Sequence, residues 1–142
     1  MTNDTLEKAT EFALRELDRA GGELDRLAGP VRNVALICCA QGVIDNGGLR
    51  YFFENDWPGQ PPYVVFADAY RAIGADDVAV AIESAALDFP FPTPECDAPA
   101  RNAFLERAGA ERFEALEGRV ESDAWVLLER YVVRHQGELD PE

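Results

Sequence analysis

The sequence predicts an all-α fold, a compact single-domain bundle of about six to eight helices with no significant sheet. Apolar residues recur three and four positions apart along most of the 142 residues. Glycines, prolines and short polar residues interrupt that pattern at intervals that suit ordinary helices. No window combines strict alternation with β-branched enrichment, as a half-buried strand would.

Taken in order, residues 4–19 carry Leu6, Ala9, Ala13, Leu14 and Leu17 at helical spacing. Asp4 and Glu7 form a capping-box-like start, and Gly21-Gly22 supplies the stop. Pro30 suits the first turn of a second helix running through Val34, Ala35, Ile37 and Cys38 to Val43 and Ile44. That helix is apolar on nearly every side, so it is expected at the centre of the core. Asn46-Gly47-Gly48 ends it. A short third helix carries Leu49, Phe52 and Phe53, and Trp57-Pro58-Gly59-Gln60-Pro61-Pro62 breaks the chain again. Tyr63 to Ile73 is predicted helical, with Gly74 as its C-terminal cap. Asp76 and Asp77 complement the N-terminal dipole of the next helix, whose buried stripe is Val78, Ile82, Ala85, Ala86 and Phe89. Residues 90–99 hold four prolines and form the longest irregular connection. Helices follow at about 99–118 and 122–135, with Ser122 as N-cap of the last and Trp125, Leu128, Tyr131 and Val132 on its buried face.

The composition is 47% hydrophobic and 10% aromatic, which excludes wholesale disorder. Acids outnumber bases 27 to 13, for a formal net charge of −14. So acidic a chain has no basic groove for nucleic acid and no affinity for anionic lipid, so neither direct nucleic-acid binding nor membrane docking is expected. The longest apolar stretch, Val34 to Ala40, is too short to cross a bilayer. The polar Met-Thr-Asn-Asp-Thr start does not resemble a secretory signal, and a cytoplasmic location is expected. Cys38, Cys39 and Cys96 make a poor disulfide framework, and adjacent cysteines on a helix point about 100° apart. At least one of them reads as a small core residue.

Catalytic chemistry has little to work with. His135 is the single histidine and lies near the end of the last helix, where it suits the C-terminal dipole better than a base's role. Lys8 is the single lysine, which excludes a phosphate-binding Walker loop. Asp45-Asn46-Gly47 is a fragment of a calcium loop without the later ligands, and reads as a turn. Among so many acids, pairs at glycosidase-like spacing arise by chance. A non-enzyme without cofactor or metal is expected.

The distribution of charge says more than its total. Residues 41–100 have 10 acids against Arg50 and Arg71, a net of −8, while residues 1–40 carry −2 and residues 101–142 carry −4. Helices hold carboxylates at fixed spacings, and a rigid array of negative charge resembles the phosphate backbone, with one charge per about 1.7 Å of duplex. From charge density alone, the candidate contacts for a basic partner are Glu54, Asp56, Asp76, Asp77, Glu83 and Asp88. The alternative is that acidity serves solubility only.

Asn46-Gly47-Gly48-Leu49-Arg50-Tyr51-Phe52-Phe53-Glu54-Asn55 resembles the Asn-Gly-Gly-Phe-x-Gln-aromatic-Phe-x-Asn signature of the bacterial DNA-mimic protein (DMP) family. The likeness extends to Ala72-Ile73-Gly74-Ala75, to Ala86-Leu87-Asp88-Phe89-Pro90, and to Arg101 beyond the proline-rich loop. It spans roughly residues 30–135, leaving 1–29 as an added N-terminal helix and linker. Leu49 stands where the family has an aromatic and Tyr51 where it has glutamine, departures that bear on a polar role of the glutamine position more than on the fold. The resemblance implies a helical, dimeric protein that imitates DNA and binds a basic regulator, nucleoid protein or nuclease. The contacts cannot be carried over, because the shared motif is glycine and aromatic rather than acidic. Physically, Asn46, Gly47, Gly48, Phe52, Phe53, Asn55 and Gly74 read as structural: Asn46 as a cap, the glycines for positive φ and close approach, the phenylalanines for core or partner, and Asn55 as a hydrogen-bonder near the turn. The rival reading is a helical homodimeric or scaffold module of incidental acidity.

Overall fold

Helix follows helix, as the apolar spacing requires. The computed structural model describes residues 4–139 other than residues 28, 58 and 110, with the side chains of residues 4 and 25 also outside the description. The expected cap at Asp4 and the turn residue Pro58 therefore lie outside the described residues. Among those described there are α1 (Asp4–Arg19), α2 (Gly29–Glu54), α3 (Tyr63–Ala72), α4 (Asp76–Leu87), α5 (Ala98–Ala108), α6 (Glu111–Glu117), α7 (Ala124–Arg134) and α8 (Gln136–Leu139), and no strand.

The helix expected at the centre is there. Val34, Ala35, Leu36, Ile37 and Ala40 of α2 are buried on successive sides, and α2 packs against α1, α3, α5, α6, α7 and α8. α1 lays Ala9 and Ala13 on α2, with Leu6 and Leu17 half-buried, whereas Leu14 is 40% exposed and departs from the expected stripe. α3 and α4 form a hairpin closed by a Schellman turn. The Gly74 N–H donates to Arg71 O and the Ala75 N–H to Tyr70 O, with Gly74 at φ +90°.

Two boundaries beyond α4 differ from the sequence expectation. The stretch expected as one helix over 99–118 is two, because Gly109 takes φ +74° and caps α5 through a bond to Leu105 O. The N-cap of α7 is Asp123 rather than Ser122: the Asp123 carboxylate accepts the N–H groups of Trp125 and Val126, while the Ser122 N–H is engaged elsewhere. Trp125 is half-buried and donates its indole N–H to Asp45, tying α7 to α2.

Nine aromatic rings fill the end of the bundle below the Asn-Gly-Gly motif. Phe52 meets Phe53 and Phe66 edge-on at 5.0 and 5.1 Å, and Phe53 meets Tyr63 at 4.7 Å. Trp57, Phe89, Phe91, Phe104 and Phe113 extend the cluster. Edge-to-face pairs of this kind contribute about 0.5–1.5 kcal/mol each beyond the area they bury.

Candidate functional site

The decapeptide motif is a bend in the central helix. Asn46 and Gly47 continue the helix, so Asp45-Asn46-Gly47 is helical rather than a turn; the direction changes at Gly48, with φ 76° and ψ −172°. That backbone region is essentially restricted to glycine. A Cβ on Gly48 would also lie 2.5 Å from the Glu117 carboxylate, and one on Gly47 would lie 2.6 Å from Tyr51 Cβ. The bend creates a fresh helix N-terminus, and Glu117 of α6 accepts the Leu49 N–H that the bend leaves without an intrahelical partner. Leu49, Phe52 and Phe53 are fully buried beyond the bend, so the phenylalanines belong to the core. Asn46 is exposed, and Asn55 is half-buried with its N–H bonded to Tyr51 O.

The six candidate acids spread over different surroundings. Asp77, half-buried at the start of α4, accepts N–H groups from Glu121 at 2.6 Å, Ser122 at 2.7 Å and Val78 at 2.9 Å. Burial opposes ionisation here, but the backbone bonds from Ser122 and Glu121, with help from the Ser122 side chain and Val78, hold the carboxyl below its usual range. Asp77 thus fastens the connection between α6 and α7 to α4. Glu83 is bidentate with Arg71 of α3, and that bond lowers its pKa. Asp88 grips Arg112 of α6. Asp56 pairs with Arg101 of α5, and Glu54 lies 3.5 Å from Arg50. Asp76 alone of the six is exposed with no hydrogen bond or ion pair among the described residues.

Arg101 is the one buried charge among the described residues, 1% exposed against 74% for Asp56. It also donates to Pro94 O at 2.8 Å, so one guanidinium anchors both the proline-rich connection and the turn after α2. Its Nε and the neighbouring Tyr63 hydroxyl find no partner among the described residues. Burial chiefly pushes the Tyr63 hydroxyl up to about 12. The acids' partners were beyond sequence reasoning: Glu117 reaches 68 residues along the chain and Asp77 reaches 44 and 45. The one available signal was Arg101, which stood out only through the family likeness.

A family model described as DMP19-like protein matches residues 25–135. The chain belongs to the DMP19-like protein family. No curated protein and no solved structure matches it. The part matched by the DMP19-like family takes in the bend at Gly48, the α3–α4 hairpin and every acid–arginine pair described above. α1 precedes the matched residues and packs against α2, α7 and α8.

Other chemistry within this DMP19-like fold is sparse. No cluster of three or more His, Cys, Asp or Glu able to hold a metal occurs among the described residues. Cys38 and Cys39 are half-buried free thiols; burial pushes Cys38 up to about 11 and Cys39 in the same direction. Such thiols are poor nucleophiles at neutral pH. His135 stacks on Tyr131 at 4.4 Å, with Glu138 at 3.7 Å, at the C-terminal end of α7. Among the described residues no helix is long and apolar enough to cross a membrane.

Proposed function

We propose that this protein is a non-enzymatic acidic interaction module that occupies the nucleic-acid-binding surface of a basic protein, such as a transcription regulator, nucleoid protein or nuclease. The observation that carries the reading is the surplus of −8 in residues 41–100 of a DMP19-like fold, with Asp45, Glu54, Asp68, Asp76, Asp77 and Glu83 carried on the packed helices α2, α3 and α4. Carboxylates on packed helices keep their spacing, which a basic groove built for phosphates can meet without ordering a flexible chain. Arg101 and Arg112 reach in from α5 and α6, which takes two charges off that surplus without abolishing it.

A specific observation favours a second reading, a helical homodimeric or scaffold module. Five of the six candidate acids are engaged within the fold, four with arginines and Asp77 with backbone. The two readings separate in one experiment. The protein, immobilised in native lysate, captures its partner; gel-shift competition then asks whether it excludes labelled duplex. A mimic displaces duplex, and its affinity falls steeply with salt. A ternary complex with DNA, or affinity indifferent to salt, assigns the acidity to solubility and leaves the scaffold role.

A further inference from the structure

The ends of α3 and α4 and the proline-rich connection enclose an open groove of about 420 Å³. Its apolar surface comes from Val64, Ala86, Leu87 and Pro94, and its charged groups are Glu83 and Glu95. Leu87 is 84% exposed and Val64 50%, so two large aliphatic side chains stand in water at one place. Two other grooves among the described residues differ in charge: the one beside Asp76 includes Arg119, and the one on α1 includes Arg15 and Arg19. The Val64–Leu87 groove is lined by acids and no base.

Helix electrostatics point the same way. α4 has Asp76 and Asp77 at its N-terminus but no basic residue in its last turn, so the negative end of its dipole is uncompensated within the helix beside Leu87. The nearby Arg112 is occupied by Asp88, and Glu83 is held by Arg71. Glu95 and the negative end of the α4 dipole therefore supply the attraction for a cation, while Leu87 and Val64 supply an apolar seat.

We propose that this groove is the anchor for the basic partner, taking an apolar side chain flanked by arginine or lysine in an amphipathic segment of that protein. The inference rests on the reading under Proposed function and adds a location and a sequence preference to it. Phosphate mimicry alone would bind cations through carboxylates and be indifferent to Leu87; an apolar anchor in a fully desolvated pocket is what concentrates binding energy at an interface.

The test uses the full chain and two short fluorescent helical peptides of equal positive charge, one with leucines on a single face and one with serines in their place. The leucine peptide is expected to bind the more tightly, to shift the methyl resonances of Val64 and Leu87, and to weaken about tenfold with Leu87→Ser. Melting of Leu87→Ser should match that of the parent, since the side chain is mostly in water. Equal binding of both peptides with steep salt dependence overturns the groove and leaves the acidic-surface reading standing. Binding of the leucine peptide that survives replacement of its arginines by glutamine overturns the basic occupant and counts against the acidic-surface reading as well. Methyl shifts confined to other parts of the surface also overturn the proposal.

Discussion

Two adjacent aspartates of one helical turn should behave as different kinds of residue. Asp77→Ala removes an acceptor from the Glu121, Ser122 and Val78 N–H groups, the first two belonging to the connection between α6 and α7. Hydrogen bonds to a charged group are worth about 1.5–3 kcal/mol each, but these N–H groups regain water when the carboxylate goes, so a total of about 2 kcal/mol is expected. For a domain of this size that lowers the melting midpoint by about 7 °C. Asp76→Ala, which removes an exposed carboxylate with no hydrogen bond or ion pair among the described residues, should stay within about 0.5 kcal/mol. The sign of the pH dependence follows from the depressed carboxyl of folded Asp77. A depressed folded pKa gives stability that is fully present above the unfolded value, about 3.9, and lost as pH falls through the folded one. The gap between parent and Asp77→Ala should thus be full at neutral pH and close in acid. Thermal melts followed by circular dichroism at neutral pH and at about pH 3 measure both effects. Equal midpoints for Asp76→Ala and Asp77→Ala at neutral pH would refute the fastening role.

Arg101→Lys should destabilise by about 2 kcal/mol or more despite keeping the charge, because an ammonium cannot span Pro94 O and Asp56 as the guanidinium fork does; urea titration reads it. Gly48→Val should cost about 2 kcal/mol through its backbone region alone, with the approach of Glu117 adding to it, and an unchanged urea midpoint would count against the bend. Gly47→Val should destabilise too, through collision with Tyr51 Cβ rather than through φ. Phe52→Ala should cost about 3–5 kcal/mol, since its ring is fully buried against Phe53, Trp57, Tyr63 and Phe66; retention of a cooperative native melt at the parent temperature would contradict its core position.

Sequence periodicity located the helices because burial imposes it, and glycine located the stops because it tolerates the turns. Asn46-Gly47-Gly48 was legible as a break, yet which glycine turns the chain was not, since Gly47 is constrained by Tyr51 and Gly48 by its own backbone. Ser122 and Asp123 are both competent caps by residue type; a carboxylate from α4 that claims the Ser122 N–H decides between them. The split at Gly109 was masked by apolar spacing that continues through it into Phe113 and Leu116. For the acids, charge density picked out a region but not a use. Whether a carboxylate meets solvent or an arginine depends on partners 12 to 45 residues away, as Arg71–Glu83 and Asp56–Arg101 show. Such contacts leave no local periodic trace.

Ion pairing bears differently on the two stages of association. At long range a partner feels the net charge of −14, which internal pairing rearranges but does not change, and steering survives until salt screens it over about 8 Å. At contact the outward-facing oxygens decide. Glu83 with Arg71 and Asp88 with Arg112 expose both members of the pair to similar degrees, so an incoming lysine or arginine meets a cation beside each anion. Asp56 is arranged otherwise: its guanidinium partner is buried beneath it while the carboxylate stands in water. One acid can then hold the fold with one oxygen and present negative charge with the other. On the DNA-mimic reading proposed above, Asp56 and Asp76 are accordingly the candidates suited to a phosphate-like contact, and Glu83 and Asp88 suit it least. A charge-reversal series that ignores this division would mix lost stability with lost attraction.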